Sequence, residues 1–168
     1  NGDYGIDVSG DSIIVNGKSG EISNNGSFGI RLIDGEKLSN LGKIENGGEY
    51  GIAAYSTKEA VNEKSGMISN NGNTGFYIHN STGTNDGTIS NSGNYGFTID
   101  SDSKGINNGI IANKGKFGVA VYNSTFINSA AGEIRNGSSY GLAIQNGGYG
   151  ENYGIIANKG HVGVSVSN

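Results

Sequence analysis

Along this chain, single apolar residues recur at fixed offsets in a polar background, and the offsets define a repeat. The unit reads Gly-x-Ile-x-Asn, a short turn, then Gly-Φ-x-Φ, where Φ is apolar. Its Ile falls at Ile22, Ile44, Ile68, Ile89, Ile111, Ile134 and Ile156, in steps of 21 to 24 residues. The first Φ stands 8 residues further on in all seven copies, at Ile30, Ile52, Phe76, Phe97, Val119, Leu142 and Val164. The second follows at Leu32, Ala54, Ile78, Ile99, Val121, Ile144 and Val166. A pair of apolar residues in alternation after a Gly turn predicts a short strand with one buried face.

Polar positions keep the same period. Asn stands two residues after each repeat Ile, at Asn24, Asn46, Asn70, Asn91, Asn113, Asn136 and Asn158. Strand parity points these Asn inward, where a stacked array passes amide hydrogen bonds from coil to coil and satisfies buried polar groups. They are the expected structural ladder. A second Asn set precedes the motif at Asn16, Asn40, Asn62, Asn85, Asn107, Asn128 and Asn152, and a looser polar set follows the second Φ, from Asp34 to Asn168. The gap from the second set to the next motif Gly is 2 or 4 residues, both even, so strand register survives either length.

Each copy thus predicts three short strands and three polar corners. The expected fold is an all-β, right-handed, single-stranded parallel β-helix of about 7.5 coils of about 22 residues, one solenoid segment over residues 1–168. At about 4.8 Å per coil its length is roughly 35 Å. The chain opens and closes in mid-coil without an atypical capping repeat, so further coils are expected on both sides. A further column, Tyr4, Phe28, Tyr50, Thr74, Tyr95, Phe117, Tyr140 and Val162, lies two residues before the first Φ. Parity assigns it to the core side of a corner, with the following Gly removing an outward side chain and free to take a positive φ.

Composition agrees with many tight turns between short strands. Gly contributes 32 residues, apolar residues only 33% of the chain, and Pro and Cys are absent. The formal net charge of −4 and the lack of a basic run argue against a nucleic-acid surface. No apolar run approaches a membrane span, and the first residues lack a signal-peptide pattern. Without Cys there is neither a disulfide framework nor a thiolate metal site.

The outward columns show no converging catalytic set, so no enzyme activity and no cofactor or metal is expected. Glu133 and Arg135 share one coil and read as a solvated ion pair. The Asp100/Asp102 and Asp34/Glu36 pairs flank corners and stand too far apart to pool oxygens for Ca²⁺. His79 and His161 lie several coils apart, without an evident Ser or Asp partner. Tyr55, Tyr77 and Tyr122 are the candidates for ligand contact, as rings that stack on sugars.

The motif Gly20-Glu21-Ile22-Ser23-Asn24-Asn25-Gly26-Ser27-Phe28-Gly29-Ile30-Arg31-Leu32, nearly repeated from Gly87 to Ile99, resembles the passenger domains of type V autotransporter adhesins of Gram-negative bacteria. The resemblance spans essentially the whole chain. It implies an extracellular stalk on the bacterial surface, exported through and tethered to an outer-membrane β-barrel outside this chain. The implied partners are a host-cell receptor or glycan met by corner loops, with no insertion of this segment into a membrane. Two alternatives stay open: a polysaccharide lyase or hydrolase of the pectate-lyase-like β-helix type, and a phage tailspike shaft.

Overall fold

Among the described residues twenty-two strands wind into three parallel sheets. The computed structural model describes residues 2–24, 26–70 and 72–168; Asn1, Asn25 and Asn71, which fall within the repeat, lie outside the described residues. The first coil supplies β1 (Tyr4–Ser9), β2 (Ile13–Asn16) and β3 (Glu21–Asn24). The second has β4 (Phe28–Ile33), β5 (Lys37–Asn40) and β6 (Lys43–Asn46), and the third β7 (Tyr50–Tyr55), β8 (Glu59–Asn62) and β9 (Met67–Asn70). Next come β10 (Thr74–His79), β11 (Thr82–Asn85) and β12 (Thr88–Asn91), then β13 (Tyr95–Asp100), β14 (Lys104–Asn107) and β15 (Ile110–Asn113). The chain continues through β16 (Phe117–Tyr122), β17 (Thr125–Asn128) and β18 (Glu133–Asn136). It finishes with β19 (Tyr140–Gln145), β20 (Tyr149–Asn152), β21 (Ile155–Asn158) and β22 (Val162–Ser167).

Every third strand pairs with its counterpart one coil away. The first sheet has eight strands, from β1 to β22; the second, from β2 to β20, and the third, from β3 to β21, have seven each. Pairing aligns the repeat residue for residue: Ile89 opposes Ile68 and Ile111, and Phe97 opposes Phe76 and Val119. This is the expected three-stranded coil of a β-solenoid.

The core is a single continuous cluster of inward apolar columns running through the coils. Its burial comes from coil-on-coil contact. Leu142, with neighbours on both sides, is 2% exposed, whereas Val164 in the same column has a neighbour on one side and is 49% exposed. Volume is balanced across the coil. Phe76 and Phe97 stack at 4.7 Å, and Gly83 and Gly105 stand at the facing second-sheet position occupied by Leu38 or Phe126 in other coils. A Cβ on Gly105 would lie 2.5 Å from Ile99 Cγ1 and 3.2 Å from Phe126 Cδ2.

The continuous amide ladder runs through the second Asn set rather than the one expected. Asn16, Asn40, Asn62, Asn85, Asn107, Asn128 and Asn152 pass Nδ2–Oδ1 hydrogen bonds at 2.7–2.8 Å from each to the next. Except at Asn40, the same Nδ2 groups also reach the Gly carbonyl that closes the corner, such as Gly66 after a long corner and Gly87 after a short one, both at 3.3 Å. The ladder thereby tolerates either corner length.

The expected ladder of Asn24, Asn46, Asn70, Asn91, Asn113, Asn136 and Asn158 is inward but works mainly within its own coil. Asn24, Asn46, Asn70, Asn91, Asn113 and Asn158 donate to the carbonyl four residues on, at 2.7–3.0 Å. Only Asn113–Asn136 and Asn136–Asn158 bond side chain to side chain, at 3.3 and 3.2 Å, among the described residues. The buried Oδ1 atoms of Asn46, Asn70, Asn91 and Asn113 have no partner there. Where Asn113 does both, the bond to the Phe117 carbonyl is the short one, at 2.7 Å, and the bond to Asn136 Oδ1 the long one, at 3.3 Å.

The polar set after the second Φ is a left-handed corner. Asp34, Ser56, Asn80, Ser101, Asn123 and Asn146 all have φ between 44° and 55°, and Gly10 completes the column at 81°. Asn, Asp and Gly tolerate this region better than other residues, which accounts for the column's composition.

Candidate functional site: the aromatic outer face of the first sheet

The aromatic column points outward, contrary to the parity argument. Pairing aligns Phe28 with Tyr4 and Tyr50, then resumes at Ile30, passing over Gly29. A Cβ on Gly29 would lie 2.8 Å from Ile44 Cγ2 and 2.5 Å from the Gly51 oxygen, so it is the Gly that faces the core. Gly29 has no positive φ. The chain bends there, two successive positions face inward, and the preceding aromatic ring turns to the outside.

Rings therefore stack along the exterior of the rod. Tyr4, Phe28 and Tyr50 lie 5.2 and 5.1 Å apart with planes within 12° of parallel. Tyr95, Phe117 and Tyr140 repeat the arrangement at 5.1 and 5.2 Å. Each set carries a cation on its rings, Arg31 at 4.3 Å from the Tyr4 centroid and Lys116 at 5.0 Å from Phe117. Arg31 is held by a bidentate pair with Asp7 at 2.7 and 2.8 Å. The small outward residues of the middle of the strand, Ala53, Thr98, Ala120 and Ala143, are buried beneath this layer.

Between the two stacks, Thr74 interrupts the column. Tyr77 fills the space from mid-strand, with its ring 5.4 Å from Tyr50 and 5.5 Å from Tyr55. Its hydroxyl donates to Asp100 Oδ2 at 3.0 Å, and His79 Nδ1 lies 3.6 Å from the same oxygen. Register places Asp100 between His79 and Tyr122 at the strand ends of successive coils. Tyr122 and Tyr95 pack against the same outer cluster of Phe117, Ala120 and Ala143. Beneath them the Thr98 hydroxyl is buried without a partner among the described residues.

The phenols respond to this packing. Burial pushes Tyr55 up to about 12. It also raises Tyr77, with the Asp100 carboxylate adding to the effect, and Tyr122, with the neighbouring Tyr95 hydroxyl adding to it. A phenol held neutral at this level serves as a hydrogen-bond donor rather than as a base.

Of the three tyrosines expected to meet ligand, Tyr55 and Tyr77 come together. Tyr122 joins the second group, beyond Asp100. Sequence reasoning missed Tyr50, Tyr95, Asp100 and His79 as members of the face. The aromatic period was visible, but its direction was not. His79 also has an Asp partner after all, one coil away.

The remaining candidates are occupied locally. Glu133 forms a bidentate pair with Arg135 at 2.5 and 2.6 Å, which holds its carboxyl below the ordinary range. Glu36 pairs with Lys58, and Asp102 accepts from Asn123 Nδ2 at 3.0 Å. Among the described residues no three His, Cys, Asp or Glu side chains are grouped closely enough to hold a metal ion.

No family model, curated protein or solved structure matches the chain.

Proposed function

We propose that this chain is a rigid structural segment of a bacterial surface passenger of the autotransporter type, and that the aromatic face of its first sheet is its contact surface. The observation that carries the reading is the unbroken in-register pairing of all three sheets, reinforced by a buried amide ladder. Such a stack resists bending because each coil is hydrogen-bonded to the next on three sides. A rod of this kind holds a binding element away from its anchor.

The contact role rests on the outer rings. Aromatic faces with neighbouring hydroxyl, carboxylate and imidazole groups suit a host receptor or glycan, the class of partner the motif resemblance implies. The segment works without catalysis in this reading, since Glu133 is tied to Arg135 and Asp100 to Tyr77. Export through an outer-membrane barrel, and cell-surface location, belong to the same proposal.

The test is binding of the purified segment to host cells and to a glycan panel, with circular dichroism to verify folding. Saturable binding that falls when Tyr50 and Tyr77 are replaced by Leu, with the β spectrum retained, supports the contact role. A folded segment that binds nothing leaves it as shaft alone. Sequencing the flanking coding region tests the export reading, which fails if no strand-rich barrel region is encoded downstream.

A further inference from the structure

We propose that Asn146 is, among the described Asn-Gly steps, the one that deamidates fastest through a succinimide. Five described Asn residues precede Gly, at Asn16, Asn46, Asn108, Asn136 and Asn146. Their local sequences are nearly equal for this chemistry, because Gly gives the least hindered attacking nitrogen in every case. The fold makes them unequal.

Four of the five are held. Asn16 is 6% exposed and its Nδ2 is bound to Asn40 Oδ1 at 2.8 Å. Asn46 and Asn136 are buried, and the nitrogens of Gly47 and Gly137 donate to the Asn24 and Asn113 carbonyls at 2.9 and 2.8 Å. Asn108 is exposed, but its Nδ2 is bound to Asp86 at 2.7 Å and Gly109 N donates to the Asn85 carbonyl at 3.0 Å.

Asn146 has neither restraint. It is exposed, and no hydrogen bond of its side chain or of Gly147 N is found among the described residues. In the equivalent corners the nitrogens of Thr57, Ser81 and Ser103 are each tied to a Ser Oγ one coil on, at 2.9–3.1 Å. That hydroxyl ladder ends at Ser124, since Gly147 and Gly148 bring no side chain to extend it. The pair also occupies two successive left-handed positions, φ 54° and 75°, and a Cβ on Gly147 would meet nothing within 4 Å. Gly148 N closes the turn by donating to the Gln145 carbonyl at 3.1 Å, but Gly147 N, the attacking atom, has no bond to break among the described residues.

In the reaction, Gly147 N loses its proton to solvent base and bonds to Asn146 Cγ. The Cγ–Nδ2 bond breaks and the amide nitrogen takes a proton from solvent and leaves as ammonia. Water then opens either carbonyl of the five-membered ring, giving aspartate or isoaspartate, so one water is consumed per ammonia released. The product adds a negative charge one coil from Asn123.

The test is incubation of the folded protein in mildly alkaline buffer, followed by peptide mapping with mass spectrometry, beside a sample unfolded in urea. The steps beginning at Asn1, Asn25 and Asn71 lie outside the described residues and are left out of the comparison. In the folded protein Asn146 is expected to convert about tenfold faster than the other four, the ratio set by one hydrogen bond that must first open. In urea the five rates should converge. Equal rates in the folded protein, or faster loss at Asn108, would overturn the assignment. Asn146→Gln should leave no fast-converting peptide among these five steps, and fast conversion at any of the remaining four in that variant would overturn the assignment as well.

Discussion

The hydroxyl of Tyr77 donates to Asp100 Oδ2 at 3.0 Å across a coil boundary, joining residues 23 apart in the chain. Removing that donor in Tyr77→Phe keeps the ring contacts with Tyr50 and Tyr55. We expect a loss of about 1 kcal/mol in denaturant unfolding, the usual net worth of one hydrogen bond. Asp100→Asn should lose less, because its amide oxygen still accepts.

The position of the amide ladder is tested by two substitutions. Asn85→Ala leaves Asn62 Nδ2 without its acceptor and Asn107 Oδ1 without its donor. Asn91→Ala loses only donations to backbone carbonyls, Tyr95 at 2.7 Å and Asn73 at 3.3 Å, since its Oδ1 has no partner among the described residues. The first should cost about 1–3 kcal/mol more than the second, the penalty for an orphaned buried polar group, read from denaturation midpoints.

Core volume gives the third expectation. In Gly105→Ala the new methyl meets Ile99 and Phe126 below normal contact distance. Overpacking of this kind costs about 1–3 kcal/mol, to be measured by urea unfolding. An unchanged midpoint would show that the neighbouring coils shift to admit it.

Alkaline pH should weaken the rod. The Tyr55 phenol sits at about 12 in the folded state, above its ordinary unfolded value of about 10. A folded pKa that is raised contributes stability fully below the unfolded value, and the contribution is lost as pH rises through the folded one. Stability should therefore decline from about pH 10 to about 12, and Tyr55→Phe should flatten that decline. Tyrosinate absorbance, followed together with circular dichroism, reads both.

The solvent-exposed pair of Glu133 and Arg135 gives a contrasting case. Glu133→Gln should leave the unfolding midpoint unchanged within error, as exposed ion pairs contribute little. A clear loss would mean that this face carries more of the coil's stability than its exposure indicates.

Much of the architecture was legible because a solenoid translates sequence period directly into spatial neighbours. The spacing between Ile89 and Ile111 is one turn, and the two residues pair in the third sheet. Strand number per coil and the inward apolar columns follow from the same arithmetic. The face that carries the aromatic rings did not, since Phe28 and Ile30 share a parity that holds only along an unbent strand.

The sequence by itself determined the parallel coil, its period and the column each residue occupies, because stacking is a one-dimensional rule. Tertiary structure alone decided the direction of the aromatic column, through the bend at Gly29 and its homologous glycines. It also decided which Asn set carries the ladder, since an amide must lie in line with its copy one coil away. The bond of Asp100 to Tyr77 and the freedom of Asn146 likewise depend on neighbours a full coil distant, and on geometry that no local pattern encodes.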